Sequence, residues 1–373
     1  MNITVLRDIA ALKAIVPEWE DLAANAVEPN PAYEPWMLLP ALEAFSADAD
    51  LRIVAVRHGG ELVGLFPLQL ERRYNSLLRT LSSWTHPHCM LCVPLVRANK
   101  AAEVLSELFA WAREEASVID LPYLAAEGAF HQTLVDVLAK EERASLVSEA
   151  YPRALLCRTS DAENYLKTAA RRELRRQEKR LAAVGKVEHR ILATREELPR
   201  WIDEFLTLEA SGWKGKRGSA LACSDKNRRF ANELFTGAFE RGRLLMVGID
   251  LDGKPIARYC ALSAGEGAIA FKTAFDENLR KYGPGALVVL DMITLFHQSA
   301  GLQWMDSYTG PNNSMIAGLW KHRRTVQRVA VATDLRGELA LALLPLMRFA
   351  RRLAEKVRRR KSRTSTIPSL RPA

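Results

Sequence analysis

The sequence predicts an α/β fold of the α+β kind in which one unit occurs twice in tandem. Three observations predict it. Leu51 to Val56, His58-Gly59-Gly60-Glu61 and Leu62 to Leu70 spell strand, tight turn, strand, and Leu244 to Ile249, Leu251-Asp252-Gly253-Lys254 and Pro255 to Ser263 spell it again. Gly-Gly and Asp-Gly between β-rich runs supply the positive φ that hairpin turns need. The landmarks around the hairpins also recur: Pro17 and Pro199 lie 182 residues apart, and Asp120 and Asp306 lie 186 apart. Finally, Arg280-Lys281-Tyr282-Gly283-Pro284-Gly285 separates a strand pattern from a helical one.

Each element follows in order. Val16-Pro17-Glu18-Trp19-Glu20-Asp21 and Leu198-Pro199-Arg200-Trp201-Ile202-Asp203 open similar helices, and each is followed by a tryptophan in the next loop, Trp36 or Trp213. A capping box, Thr194 to Glu197, starts the second helix, with Leu198, Ile202, Phe205 and Leu208 on one face. After each hairpin come a strand, a helix and a short strand ending in aspartate, Val118-Ile119-Asp120 and Trp304-Met305-Asp306. In the second copy the strand is Ala268 to Ala274 and the helix Ala286 to Phe296. One basic helix, Glu163 to Leu181, connects the copies and carries Lys167, Arg171, Arg172, Arg175, Arg176, Lys179 and Arg180. The expected divisions are a first unit over 1–160, a connecting helix over 161–185, a second unit over 186–335 and a basic helix with tail over 336–373.

A chain of 373 residues exceeds what one core usually supports, and 48% hydrophobic with 26% charged residues is the composition of a soluble globular protein. Five scattered cysteines suit a reducing compartment. Arg7 and Asp8 interrupt the N-terminus before a signal-peptide core forms, and the best apolar run, Leu339 to Met347, contains Pro345 and falls short of the ~20 residues of a membrane span. The expectation is a cytoplasmic protein. The formal charge of +9 concentrates in the connecting helix and in Arg348 to Arg363, where Glu355 is the sole acid. Such clusters are either solvated faces or attractors of anionic lipid, nucleic acid or anionic substrate. Leu341, Leu344, Phe349, Leu353 and Val357 would anchor an interfacial helix on an anionic membrane, and the tail after Lys361 is expected to be disordered. His86-Pro87-His88-Cys89-Met90-Leu91-Cys92 looks metal-like but lacks a second ligand pair, so Met90, Leu91, Val93 and Leu95 read as a buried strand and no metal is expected.

The glycine turn carries the chemistry. A helix N-terminus after a glycine turn presents free backbone N–H groups and the positive end of a dipole to an anion. Gly283 and Gly285 remove side chains that would block a phosphate, Pro284 suits the first helical position, and Arg280 adds a charge-assisted contact. The spacing resembles the Q/R-x-x-G-x-G/A acyl-CoA pyrophosphate loop of the GNAT superfamily of N-acetyltransferases. The repeated unit is similar to the GNAT fold, a mixed, mostly antiparallel sheet flanked by helices. From Pro17 to Val331 the tandem pair resembles the FemAB and CelD-like branch, with Phe271-Lys272-Thr273-Ala274-Phe275-Asp276 standing where many members carry an aromatic-Lys-x-Ala-Tyr-Asp segment. The first copy reads Arg97-Ala98-Asn99-Lys100-Ala101-Ala102 at the loop position, so it looks degenerate, a structural half or substrate platform.

The resemblance implies direct attack of an amine on the thioester of acetyl-CoA or another acyl-CoA, with no covalent enzyme intermediate and no metal. The pyrophosphate would sit at Gly283 to Ala286, with Arg280 and Lys281 beside it, and backbone N–H groups around Ala274 and Phe275 would meet the oxyanion. Tyr308 is the candidate acid for the leaving thiol. Asp276 and Asp306 compete as base, and Asp276 has the alternative role of capping the next turn. Lys272, Trp213 and Lys214 are candidate substrate contacts, the acceptor being an amino sugar of envelope or exopolysaccharide synthesis, or a similar amine. Pro311-Asn312-Asn313-Ser314 replaces the acidic or aromatic residues usual after the aspartate strand. The alternatives are a FemAB-like transferase using aminoacyl-tRNA, disfavoured by the absence of a helical arm between the units, and a non-catalytic basic protein that docks on membrane or nucleic acid.

Overall fold

The computed structural model describes residues 1–73, 78–169, 172–310 and 314–346. The first unit comprises β1 (Asn2–Leu6), α1 (Ile9–Ala14), α2 (Val16–Ala24), α3 (Pro35–Phe45), β2 (Leu51–His58), β3 (Glu61–Arg73), β4 (Leu78–Ser83), β5 (Leu95–Val96), α4 (Ala101–Glu115), β6 (Val118–Ala125), α5 (Ala129–Lys140) and β7 (Ser145–Cys157). Helices α6 (Ala162–Ala169) and α7 (Arg172–Ala182) flank residues 170–171. The second unit comprises β8 (Val187–Ile191), α8 (Leu198–Ser211), α9 (Trp213–Lys216), α10 (Asp225–Glu240), β9 (Leu244–Leu251), β10 (Lys254–Ala264), β11 (Gly267–Phe275), α11 (Pro284–Gln298), β12 (Trp304–Asp306), α12 (Ser314–Leu319) and β13 (His322–Ala332). A helix over 335–346, α13, ends the described chain. No helix among the described residues is long and apolar enough to cross a membrane.

All thirteen strands among the described residues join one sheet, in the order β1-β2-β3-β4-β6-β13-β7-β12-β11-β10-β9-β8, with β5 on β3. Each unit has one parallel pair. In the first, β4 lies beside β6 with Ser82 opposite Asp120; in the second, β11 lies beside β12 with Ile269 opposite Asp306. The repeat read from the two aspartates is therefore a repeat of register. The units also exchange their last strands. β7 pairs with β12 of the second unit and β13 pairs with β6 of the first, while β7 and β13 pair with each other.

That exchange buries two aspartates among arginines. Asp120 accepts from Arg73 at 2.7 Å and Arg328 at 3.1 Å; Asp306 meets Arg153 at 3.4 Å and Arg324 at 3.2 Å. Asp306 and the Arg153 side chain are wholly buried. Buried charges persist only when paired in this way. One hydrophobic core runs through the first unit and continues into α8 and α10, and a second lies between α11 and the opposite face of the second unit. Helix α10 packs on α3, where Phe45 and Phe230 meet edge to face at 5.2 Å.

Several expectations need correction. The Thr194 to Glu197 box does not start α8: Glu197 is itself the cap residue, makes no side-chain cap bond, and Pro199 sets the first turn. Trp36 lies inside α3 and is buried, and Trp213 opens α9, so neither is in a loop. The expected strand through Met90 to Leu95 is irregular chain up to the two-residue β5, because its polar backbone groups are met from elsewhere: Arg153 donates to Met90 O and Cys92 N–H to Tyr123 O. The tail after Lys361 and residues 311–313 lie outside the described residues.

Candidate active site

The glycine turn folds by local necessity. Asp276 caps a short 3₁₀ turn over Glu277–Tyr282 by accepting the Asn278 N–H at 2.9 Å, and Gly283 ends it at φ 67°. That left-handed backbone suits glycine. A Cβ there would lie 2.1 Å from Gln177 Oε1, and one at Gly285 would lie 2.7 Å from the Phe275 ring. Gly283 is required by its conformation and Gly285 by the Phe275 ring packed against it. Gly283 O takes the N–H groups of Ala286 and Leu287, each at 3.0 Å. The Gly285 N–H, second in α11 and behind Pro284, has no intrahelical acceptor and is the donor left for an anion.

This turn walls a pocket of about 440 Å³. Arg280, Gly283, Gly285 and Phe275 line one part of it, and Gln177 and Glu173 of α7 line another. The cation of the motif is therefore in the lining, as is one acid. Lys281 is not in that lining; its ammonium lies over the Tyr282 ring at 4.9 Å.

The strand leading to the turn is bent away from its neighbour. Between Ile269 and Lys272 the pairing of β11 with β10 shifts by one residue, a bulge, and β12 pairs no further than Ile269. Bulges re-aim a strand in this way. Asp276 N–H donates to Ile256 O at 2.9 Å, so antiparallel alternation turns the Ala274 N–H toward β10. The Phe275 N–H and the Thr273 carbonyl face the side that β12 has left. Of the two amides expected at an oxyanion, only that of Phe275 is so placed.

On that side stands Glu209, which was not among the residues expected from sequence. Helix α8 carries it inward, 2% exposed, where Oε1 meets Lys214 Nζ at 3.0 Å and Lys272 Nζ at 3.4 Å and Oε2 accepts the Leu221 N–H at 2.8 Å. Lys214 also donates to Thr273 O at 2.9 Å. Burial pushes the Glu209 carboxyl up, but Lys272, Lys214 and the Leu221 N–H together hold it below the ordinary range. Burial pulls the Lys272 amine down against the attraction of Glu209. Glu209, Lys214, Thr273, Ala274 and Phe275 border a small recess, and Phe275 borders the larger pocket as well. A glutamate in an otherwise apolar helix face, Phe205-Leu206…Leu208-Glu209, was the available signal.

The remaining predicted residues lie elsewhere or are engaged. Trp213 is 49% exposed, with its N–H on Glu277 and Arg217 over its ring. Tyr308 is not at a cleft mouth: it is 6% exposed, at φ 53°, its N–H on Asp306 at 2.7 Å and its hydroxyl donating to His88 O at 3.1 Å. Asp306 is sealed by the two arginines and that N–H. In the first unit the corresponding gap beyond β4 and β6 is filled by the chain itself, through Met90 to Cys92. There the loop position has Lys100 at φ −128°, paired with Glu103, and Arg97 is committed to Asp21 and Glu61. Cys89 and Cys92 are buried with sulfurs 3.7 Å apart, and no group of three metal-ligating side chains is found among the described residues.

Residues 168–314 match the acetyltransferase (GNAT) domain family. No curated protein matches the chain. Among solved structures, a conserved protein of unknown function from Bacteroides thetaiotaomicron aligns with TM-score 0.54 at 12% identity, over 89% of this chain and 100% of that one. A C-terminal domain from Agrobacterium fabrum, assigned to a lysylphosphatidylglycerol synthetase, aligns with TM-score 0.54 at 11% identity over 88% and 95%. FemX aligns with TM-score 0.52 at 12% identity over 88% and 97%. At such identities these likenesses establish the fold, and the register repeat makes it a tandem one.

Proposed function

We propose that this chain, whose residues 168–314 match the GNAT acetyltransferase domain family, is an N-acyltransferase that moves an acyl group, acetyl in the first instance, from acyl-CoA to an amine. The observation that carries the reading is the pocket at Arg280, Gly283 and Gly285, joined through Phe275 to the recess at Glu209. The pyrophosphate binds the Gly285 N–H and Arg280. The pantetheine arm follows the side of β11 that β12 has vacated, and the thioester carbonyl accepts the Phe275 N–H. The amine forms the new C–N bond, the C–S bond breaks, and the electron pair leaves with the thiolate. Preorganised donors and a fixed trajectory supply the rate.

Proton handling falls to the buried cluster. Glu209, ionised at neutral pH, takes the amine proton directly or through water, and Lys272, its pKa lowered by burial, returns a proton to the thiolate. Asp276 serves as a cap, Asp306 as a buried counter-ion, and Tyr308 positions the segment that carries it. The acceptor enters between Trp213, Lys214 and the first unit. An amino sugar of envelope or exopolysaccharide synthesis suits a site with an exposed tryptophan and several charges. Release of free thiol from acetyl-CoA, followed with a panel of amino sugars and other primary amines, tests this. Thiol release dependent on an amine supports it, and silence across the panel with acetyl-CoA bound sends the search to other acceptors.

A second reading, transfer from aminoacyl-tRNA, is favoured by α7, whose Arg172, Arg175, Arg176, Lys179 and Arg180 stand on the helix that walls the pocket. Salt-sensitive binding of tRNA in preference to acetyl-CoA would select it.

A further inference from the structure

We propose that the outer face of α13 docks the protein on an anionic lipid surface. Leu335, Leu339, Leu343 and Leu346 are 67%, 58%, 52% and 65% exposed. At about 100° per residue these four positions fall within about 80° of arc, one continuous apolar stripe. Leu341 and Leu344 point the other way, Leu341 being 4% exposed and packed with Val118, Ala330 and Ala332. The anchors expected from sequence are thus divided: Leu341 and Leu344 hold the helix to the sheet, while Phe349, Leu353 and Val357 lie outside the described residues.

The orientation of α13 is fixed by its start. Ser117 Oγ donates to Asp334 Oδ2 at 2.9 Å, and Asp334 Oδ1 accepts the Gly337 N–H at 2.8 Å. Gly337 sits so close to the strand that a Cβ would fall 2.0 Å from Ser117 O. The helix cannot roll to bury its leucines without breaking these contacts. A stripe of large exposed leucines marks an interaction surface.

Charge decides the partner. Directly after the stripe, residues 348–363 read RFARRLAEKVRRRKSR, with Glu355 the one acid. Each Lys or Arg near an anionic membrane adds to the attraction, and four leucines add buried apolar area. Apolar insertion beside a polybasic segment is the two-signal arrangement that holds a protein at a membrane surface.

The test is co-sedimentation of the full chain with vesicles of phosphatidylglycerol and phosphatidylcholine in equal parts, and with phosphatidylcholine alone. The wild type is expected in the pellet with the anionic vesicles, released by high salt, and in the supernatant with neutral ones. Leu339→Gln/Leu343→Gln, which alters only exposed positions, is expected to keep its melting temperature and bind the anionic vesicles at least ~10-fold more weakly. Absence of wild-type binding, or equal binding by the double variant, overturns the proposal. So does a wild-type dimer that this variant dissociates without any vesicle binding, which would assign the stripe to a second copy of the chain.

Discussion

Lys272 on β11 meets Glu209 on α8 with Nζ 3.4 Å from Oε1, and Lys214 shares the same oxygen at 3.0 Å. All three groups stand where β11 parts from β12. Glu209→Gln is expected to leave acetyl-CoA affinity within about threefold and to lower kcat by about 10²-fold or more. Steady-state kinetics alongside calorimetry separates the two quantities. An unchanged kcat would remove Glu209 from proton transfer.

Asp306 has the opposite profile. Asp306→Asn would strand Arg153 and Arg324 in the seam made by the exchanged strands, at a cost of about 3–5 kcal/mol. Denaturant unfolding should register that loss, and the folded fraction should keep its kcat. Loss of turnover at full stability would instead restore Asp306 as a base.

His189 and Asp291 couple β8 to α11, with Nδ1 2.9 Å from the carboxylate. The Asp291 hydrogen bond raises the His189 pKa above its ordinary 6.5, burial opposes, and the charges of Asp291 and Glu178 add to the rise. The sign follows from linkage: a raised folded pKa gives stability that is complete below the unfolded value and is lost as pH climbs through the folded one. Unfolding free energy should therefore fall as pH rises from the ordinary 6.5 through the raised folded value, by a small amount since the pair is partly exposed. Asp291→Asn should flatten that slope; an identical slope in the variant would place its origin elsewhere.

The tandem fold was legible because its landmarks are local. Hairpin turns, the glycine turn and the two aspartate strands each follow from short sequence patterns, and Ser82–Asp120 and Ile269–Asp306 show the repeat held to the residue. The strand exchange was not legible. β7 and β13 have ordinary strand composition, and nothing local says which unit's strands each pairs with. For the same reason Asp306 read as catalytic: its counter-ions, Arg153 and Arg324, come from the exchanged strands. Glu209 escaped notice because its partners are a helix turn away and across the sheet. Tyr308 read as exposed because its cover, His88, belongs to the other unit.

The proposed function requires the second unit to bind acyl-CoA at its glycine turn. Calorimetric titration of acetyl-CoA into the wild type, Arg280→Glu and Gly283→Asp/Gly285→Asp tests it most directly. Wild-type binding is expected in the micromolar range, with at least a ~10-fold loss in Arg280→Glu, an exposed change that spares the fold, and no detectable binding in the double variant. A wild type that binds no acetyl-CoA, or an Arg280→Glu variant that binds as well as the wild type, would contradict the account.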